Sequence, residues 1–177
     1  PILDRTPLWM GNIAVDKFKR LMKLPNKDRI DSLSGNKTSN SCNNILTLKE
    51  LQHMSDIFDI QPHSHSHPVL PNCEENEIWD EISKSIKFIK QNIESQSSAF
   101  APPFGLYTNK DIEIINSLGI KYIFSVEPSL NELKNIDNCN IKRIGITDHD
   151  NAYVCILRAS GIYSIIRERF KKYSQFY

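Results

Sequence analysis

Apolar residues recur at helical spacing in some stretches of the chain and in short continuous runs in others. Ile13, Val15, Phe18, Leu21 and Met22 fall on one face of a helix. An Asn/Ser-rich stretch from Ser34 to Asn44 interrupts the pattern and reads as a solvated loop. Thr47-Leu48-Lys49-Glu50 then has the form of a capping box: the Thr hydroxyl takes the Glu50 N–H and the Glu50 carboxylate reaches back. The helix it opens is expected to turn Leu48, Leu51 and Met54 towards a core. Ile57 to Ile60 is a short β-like run that ends at Gln61-Pro62.

Asn72 and Glu75 mark a second helix start. Ile78, Ile82, Ile86, Ile89 and Ile93 follow at the spacing of an amphipathic helix. Ser98 to Ala101 reads as extended and runs into Pro102-Pro103. Thr108 with Asp111 opens a third helix, apolar at Ile112, Ile115 and Leu118, with Gly119 as its natural C-terminal stop. Ile120 to Val126, rich in Ile, Tyr, Phe and Val, predicts a buried strand. Ile141 to Ile146 and Tyr153 to Leu157 read as two further extended runs, and a last helix is predicted near Tyr163 to Lys172. Strands alternating with helices indicate one α/β domain over residues 1–177 with a mostly parallel sheet. In such folds the chemistry sits on loops leaving the carboxyl ends of strands. The loops after Ile60 and after Ala101 are the two candidates.

Composition narrows the possible partners. Of 177 residues, 22 are basic and 21 acidic, a formal charge of +1, which argues against nucleic acid or an anionic membrane as the main partner. No run approaches the roughly 18 apolar residues of a spanning helix. Cys42, Cys73, Cys139 and Cys155 lie far apart without a CxxC pair, so they indicate neither a zinc knuckle nor a redox couple. Neither compartment nor oligomeric state can be read from these features.

Three of the five histidines lie together in His63-Ser64-His65-Ser66-His67, followed by Pro68. Neutral imidazole is the commonest protein ligand for zinc and similar ions. His63 and His67 converge across a helical turn, whereas in an extended segment all three rings would share one face. A His-rich solvated loop has the same composition. His53 falls on the polar side of its helix and is expected at the surface.

His63-Ser-His-Ser-His67-Pro68 resembles the H-[ST]-x-x-H-P metal motif of the polysaccharide deacetylases, the NodB-homology group of carbohydrate esterase family 4. Phe100-Ala-Pro-Pro-Phe-Gly105 resembles the third motif of that family, and the helix Glu77 to Ile93 and the run Leu118-Gly-Ile-Lys-Tyr continue the likeness. The match is good from Thr47 to Pro128 and weaker at Pro7-Leu-Trp9 and Lys142-Arg-Ile-Gly-Ile146. The resemblance implies a distorted (β/α) barrel that removes acetyl groups from amino sugars or polysaccharides, with one divalent ion, zinc or a similar metal. It implies His63 and His67 as metal ligands and Ser64 as a residue that holds their loop. It also implies a substrate loop of Pro102, Pro103 and Gly105, with the Phe104 backbone N–H donating to the oxyanion. The implied partner is an acetylated glycan. Members of the family are often secreted or periplasmic.

The chain departs from the family pattern in three places. The first motif, an Asp dyad that supplies a carboxylate ligand and the general base, is absent, and Asp4 does not replace it. A strand–helix–strand unit takes about 30 residues or more, so roughly 30–45 residues carrying the dyad are expected ahead of Pro1. Ala101 stands where many members have Arg. No general-acid motif is clear, and His149, between Asp148 and Asp150, is the one candidate; a charged turn is the other reading of that cluster. Trp9, Trp79 and Phe104 could stack on sugar rings, Phe104 with the best claim because of its loop. The basic tail at Arg167, Arg169, Lys171 and Lys172 reads as a solvated helix face. Three rivals to a sugar deacetylase follow: a hydrolase of a non-sugar amide on the same scaffold, a non-catalytic metal- or glycan-binding remnant, and a His-rich metal-handling module.

Overall fold

The computed structural model of the chain describes residues 12–34, 46–93, 95–147 and 149–166. The elements are α1 (Asn12–Leu21), α2 (Asn26–Ser34), α3 (Leu48–Ser55), α4 (Glu75–Asn92), β1 (Ala99–Phe100), α5 (Asn109–Ser117), β2 (Tyr122–Ile123) and α6 (Ala152–Ala159), with a further helical stretch at 162–166. The expected Ser34–Asn44 loop, apart from Ser34, the segment Pro7-Leu-Trp9, Asp4, Cys42 and the basic tail lie outside the described residues.

The local start signals explain the helices best. Thr47 and Thr108 both form complete capping boxes, with Glu50 and Asp111 returning to the cap N–H at 2.7 Å in each case. The cap of α4 falls on Glu74, not Asn72, with Glu77 as its reciprocal partner at 2.9 Å. Asn72 instead ends a single 3-10 turn and ties α1 to that turn, donating to the carbonyls of Met22 and Leu24.

The apolar stripe of α4 does what its period implies. Ile78, Ile82 and Ile89 are buried, and with Leu70, Phe100, Ile115, Ile120 and Ile123 they make up most of the core. Each such side chain removed from water contributes about 1.5–3 kcal/mol. Helix α5 connects β1 to β2 in a parallel crossover, pairing Ala99 with Tyr122 and Phe100 with Ile123. One further bridge, Phe124 with Ile141, also parallel, extends the sheet. This βαβ unit points the loop after Phe100 out of the carboxyl end of the sheet, the side where such folds hold their chemistry.

Four expectations are corrected. Tyr153–Leu157 lies inside α6, because Asn151 accepts the Val154 N–H at 3.0 Å and caps a helix there. Ile57 and Phe58 are exposed and belong to the turn that closes α3, both amides donating to the Met54 carbonyl, so Ile57–Ile60 forms no strand. Within Ile141–Ile146 only Ile141 pairs with a strand neighbour. No residue of α3 is buried, and Leu48 is 43% exposed, so its apolar face does not reach the core. The last helix is present at residues 162–166, up to the end of the described region. Among the described residues no helix is long and apolar enough to cross a membrane.

Candidate functional site

The His-rich loop is held between two fully buried prolines, Pro62 and Pro68. Within it Ser64 and His67 adopt left-handed backbone angles, φ +70° and +55°. Non-glycine residues pay roughly 1–2 kcal/mol each for that region, so other contacts must hold the loop. They come from two helices. Glu81 of α4, only 7% exposed, accepts the His65 N–H at 3.0 Å, the Ser66 N–H at 2.7 Å and the Ser66 hydroxyl at 2.7 Å. Arg29 of α2, 8% exposed, donates to the Ser66 carbonyl at 3.3 Å and to Asn26 at 2.9 Å. Hydrogen bonds to a charged group contribute about 1.5–3 kcal/mol, enough to offset the backbone cost.

The turn places the two outer imidazoles side by side. The ring centroids of His63 and His67 are 4.9 Å apart, edge to face at 73°. The Ser64 hydroxyl accepts the His67 N–H at 3.2 Å, tying the two ends of the turn. His63 Nδ1 is hydrogen-bonded to the Ala101 carbonyl. A carbonyl only accepts, so Nδ1 carries the proton and Nε2 of the neutral ring keeps its lone pair. Partial burial, and next the neighbouring His63, hold the His67 pKa below the ordinary histidine value, which favours the neutral ring a metal requires. His65 is attached to Glu81 through its backbone and has no ring contact with the pair.

The third-motif loop forms the other wall. Pro102 and Pro103 are fully buried, and Phe104 takes a left-handed conformation at φ +59°. Its ring stands edge-on to His67 at 4.5 Å and to Phe18 of α1 at 5.9 Å. Gly105, at φ +66°, lies so close to Val126 that a Cβ would come within 2.3 Å of a Val126 methyl carbon. The Gly105 and Leu106 amides close the loop on Pro102 and Pro103, while the Phe104 N–H has no acceptor among the described residues. The expected oxyanion donor is thus an amide with no acceptor among the described residues, on the residue whose ring packs against His67.

Other expected residues make no hydrogen bond or ring contact with this cluster among the described residues. His149 is exposed in a turn closed by the Thr147 N–H on Asp150 at 2.7 Å, and no hydrogen bond or ring contact joins it to His63, His67 or Phe104 among the described residues. Asp150 also accepts from Arg158 at 3.0 Å, and the Thr147 bond, followed by that guanidinium, holds its carboxyl below the usual range. Trp79 is half exposed on α4. His53 is exposed, as expected, 3.8 Å from Asp56. The Cys73 thiol is pushed up to about 12 by burial and by the Glu77 and Glu81 charges, so it offers no thiolate at neutral pH.

The donor set fits half of a catalytic zinc site: two adjacent, solvent-exposed imidazoles, His63 with its Nδ1 engaged by Ala101 and His67 with a lowered pKa. Among the described residues no third His, Cys, Asp or Glu joins them in a metal-sized group. Sequence reasoning missed Glu81 and Arg29. A carboxylate on the apolar side of the α4 stripe, one position before Ile82, was the available signal.

A polysaccharide deacetylase family model matches residues 34–123, just over half of the chain. A poly-β-1,6-N-acetyl-D-glucosamine N-deacetylase of Staphylococcus aureus is 27% identical over 114 residues, covering 59% of this chain and 39% of that protein. The Streptococcus pyogenes deacetylase PplD, in complex with acetate, superposes with a TM-score of 0.60 at 20% identity, over 67% of this chain and 52% of its own. A polysaccharide deacetylase of Bacillus cereus gives a TM-score of 0.57 at 17% identity, over 75% of this chain and 47% of its own. The chain thus spans about two-fifths of the length of the curated relatives it matches and about half of the solved ones, whose fold it shares.

Proposed function

The chain belongs to the polysaccharide deacetylase family, and from that premise we propose that the protein it represents removes acetyl groups from an N-acetylated amino-sugar polymer with the help of one divalent ion. The observation that carries this reading is the pairing of His63 and His67 at 4.9 Å, with the Phe104 ring 4.5 Å from His67. His63 and His67 would hold the ion through neutral ring nitrogens, and zinc suits such donors. When bound, an ion of this kind activates water at neutral pH and polarises the acetamide carbonyl. A carboxylate that completes the set is the part this pair does not itself supply.

The chain's own residues account for the rest. The Phe104 N–H donates to the carbonyl oxygen as negative charge develops on it. Buried Pro102 and Pro103 keep that amide from moving, and Gly105 allows the close approach to Val126. The Phe104 ring is also the candidate for stacking on a sugar. His149 is the candidate proton donor to the leaving amine. A barrel closed by further strands is the architecture we propose for the whole protein.

The test is acetate release from β-1,6-linked N-acetylglucosamine oligomers by the whole protein, before and after chelation and after zinc is restored. Release that stops on chelation and returns with zinc supports the reading. Zinc retained with no acetate released from any acetylated glycan would favour a binding remnant, and release only from small non-sugar amides would favour the other hydrolase.

A further inference from the structure

We propose that Glu81 and Arg29 form a charged clamp on Ser66 that positions His63 and His67 and thereby sets their affinity for a metal ion. This rests on the metal reading above and adds positioning residues to it. Ser66 is the residue immediately before His67, and it is gripped on both sides. Glu81 takes its N–H and its hydroxyl, each at 2.7 Å, and Arg29 reaches its carbonyl at 3.3 Å. The two charges approach from different helices, α4 and α2, and both side chains are buried. They thus form a rigid frame for a turn whose two left-handed residues, Ser64 and His67, flank the clamped pair His65-Ser66.

The arrangement suits positioning better than general stability. The Glu81 acceptors converge on one peptide segment, and that segment carries both candidate ligands within three residues of Ser66. Residues that orient metal ligands from behind typically change metal affinity by roughly 10- to 100-fold when lost. Glutamine at position 81 keeps the shape and can still accept both amides through its oxygen while its amide donates to the Ser66 hydroxyl. Leucine keeps the volume and none of these bonds.

The experiment uses the whole protein and zinc as the probe, with affinity measured by competition against a chromophoric chelator and amide exchange measured at His65 and Ser66. Glu81→Leu is expected to weaken zinc binding about 10- to 100-fold and to speed exchange at both amides, while Glu81→Gln stays within a few-fold of wild type. Arg29→Met, which keeps the packed stem, is expected to weaken binding less. Because both act through Ser66, the double variant should lose less than the product of the single losses. Ile82→Val, one residue along α4 and part of the apolar core, controls for general destabilisation. Equal zinc affinity with and without Glu81 would overturn the clamp, as would an Ile82→Val loss as large as that of Glu81→Leu. Wild-type protein with both amides protected but no zinc bound would overturn the metal reading itself, and the clamp's role with it.

Discussion

The side chain of His63 donates a hydrogen bond from Nδ1 to the backbone carbonyl of Ala101, joining the histidine motif to the third motif across 38 residues of sequence. The bond fixes which ring nitrogen is free, and it does so without the Ala101 side chain. Ala101 stands where many family members carry Arg, and the structure shows what this position retains: a carbonyl at the end of β1. Ala101→Gly should therefore leave zinc affinity within a few-fold. His63→Ala or His67→Ala should abolish zinc retention and acetate release together, and His65→Ala should leave both largely intact. Metal content after gel filtration, with acetate measured on the same samples, checks all four. Equal losses at the three histidines would remove the ligand assignment.

His67 makes stability depend on pH in a stated direction. Its pKa in the folded protein is lowered, chiefly by burial and next by His63, so the folded state binds a proton less readily than the unfolded chain. The stabilisation from the neutral ring is fully present above the unfolded value of about 6.5 and is lost as pH falls through the lower folded value. Metal-free protein should thus unfold more easily as the pH drops below about 6.5. His67→Asn removes the titration yet tolerates φ +55°, since Asn enters the left-handed region readily. Urea midpoints from pH 8 to pH 5 should fall more steeply for wild type than for His67→Asn. Parallel curves would show that another group governs the acid limb.

Gly105→Ala should be strongly destabilising for two separable reasons. The φ of +66° is costly for any residue with a Cβ, and the new Cβ would lie 2.3 and 2.6 Å from the two Val126 methyls. Strain of about 1–2 kcal/mol and overpacking of about 1–3 kcal/mol together give a loss of roughly 2–5 kcal/mol. Adding Val126→Ala removes both methyls but leaves the Cβ of residue 126 at 2.9 Å, so it should recover part of the packing share and none of the backbone share. Denaturant unfolding of the single and double variants measures both. Full recovery in the double variant would mean that φ carries no cost here.

The parts of this fold that were legible in the sequence are those written in local chemistry. The Thr47–Glu50 and Thr108–Asp111 boxes, the isoleucine stripe of α4 and the extended runs at Ala99 and Tyr122 depend on residues a few positions apart. So does the His63–His67 spacing. Helix α2 was not legible, because its apolar positions Ile30 and Leu33 are exposed and the residues it buries are the polar Asn26 and the charged Arg29. Glu81 was missed for the same reason: its partners are 15 and 16 residues away. Tyr153–Leu157 misled because Val, Cys, Ile and Leu suit a strand, while the deciding signal was the Asn151 cap two residues earlier. The placement of His149 depends on the turn that Thr147, Asp150 and Arg158 build together, which no periodicity announces.

Gln61 shows how the chain reaches the same end without the strand expected at Ile57–Ile60. Its side-chain oxygen accepts the Ser98 and Ala99 N–H groups, each at 3.0 Å, and its amide donates to the Gln96 carbonyl at 3.2 Å and to Asp59 at 2.7 Å. One side chain thus satisfies the edge of β1 where a neighbouring backbone would otherwise pair. Gln61 is also two residues before His63, so the bonds set the distance between β1 and the histidine loop. Gln61→Leu would leave two edge amides unmatched, at a cost of about 1–3 kcal/mol for each one shielded from water. Gln61→Glu would keep the two acceptances and lose both donations, placing a carboxylate oxygen against the Gln96 carbonyl and Asp59. Both variants should therefore lower the melting temperature, with amide exchange faster at Ser98 and Ala99 in Gln61→Leu but near wild type in Gln61→Glu. If those amides exchange equally in all three proteins, Gln61 does not serve as the edge partner of β1.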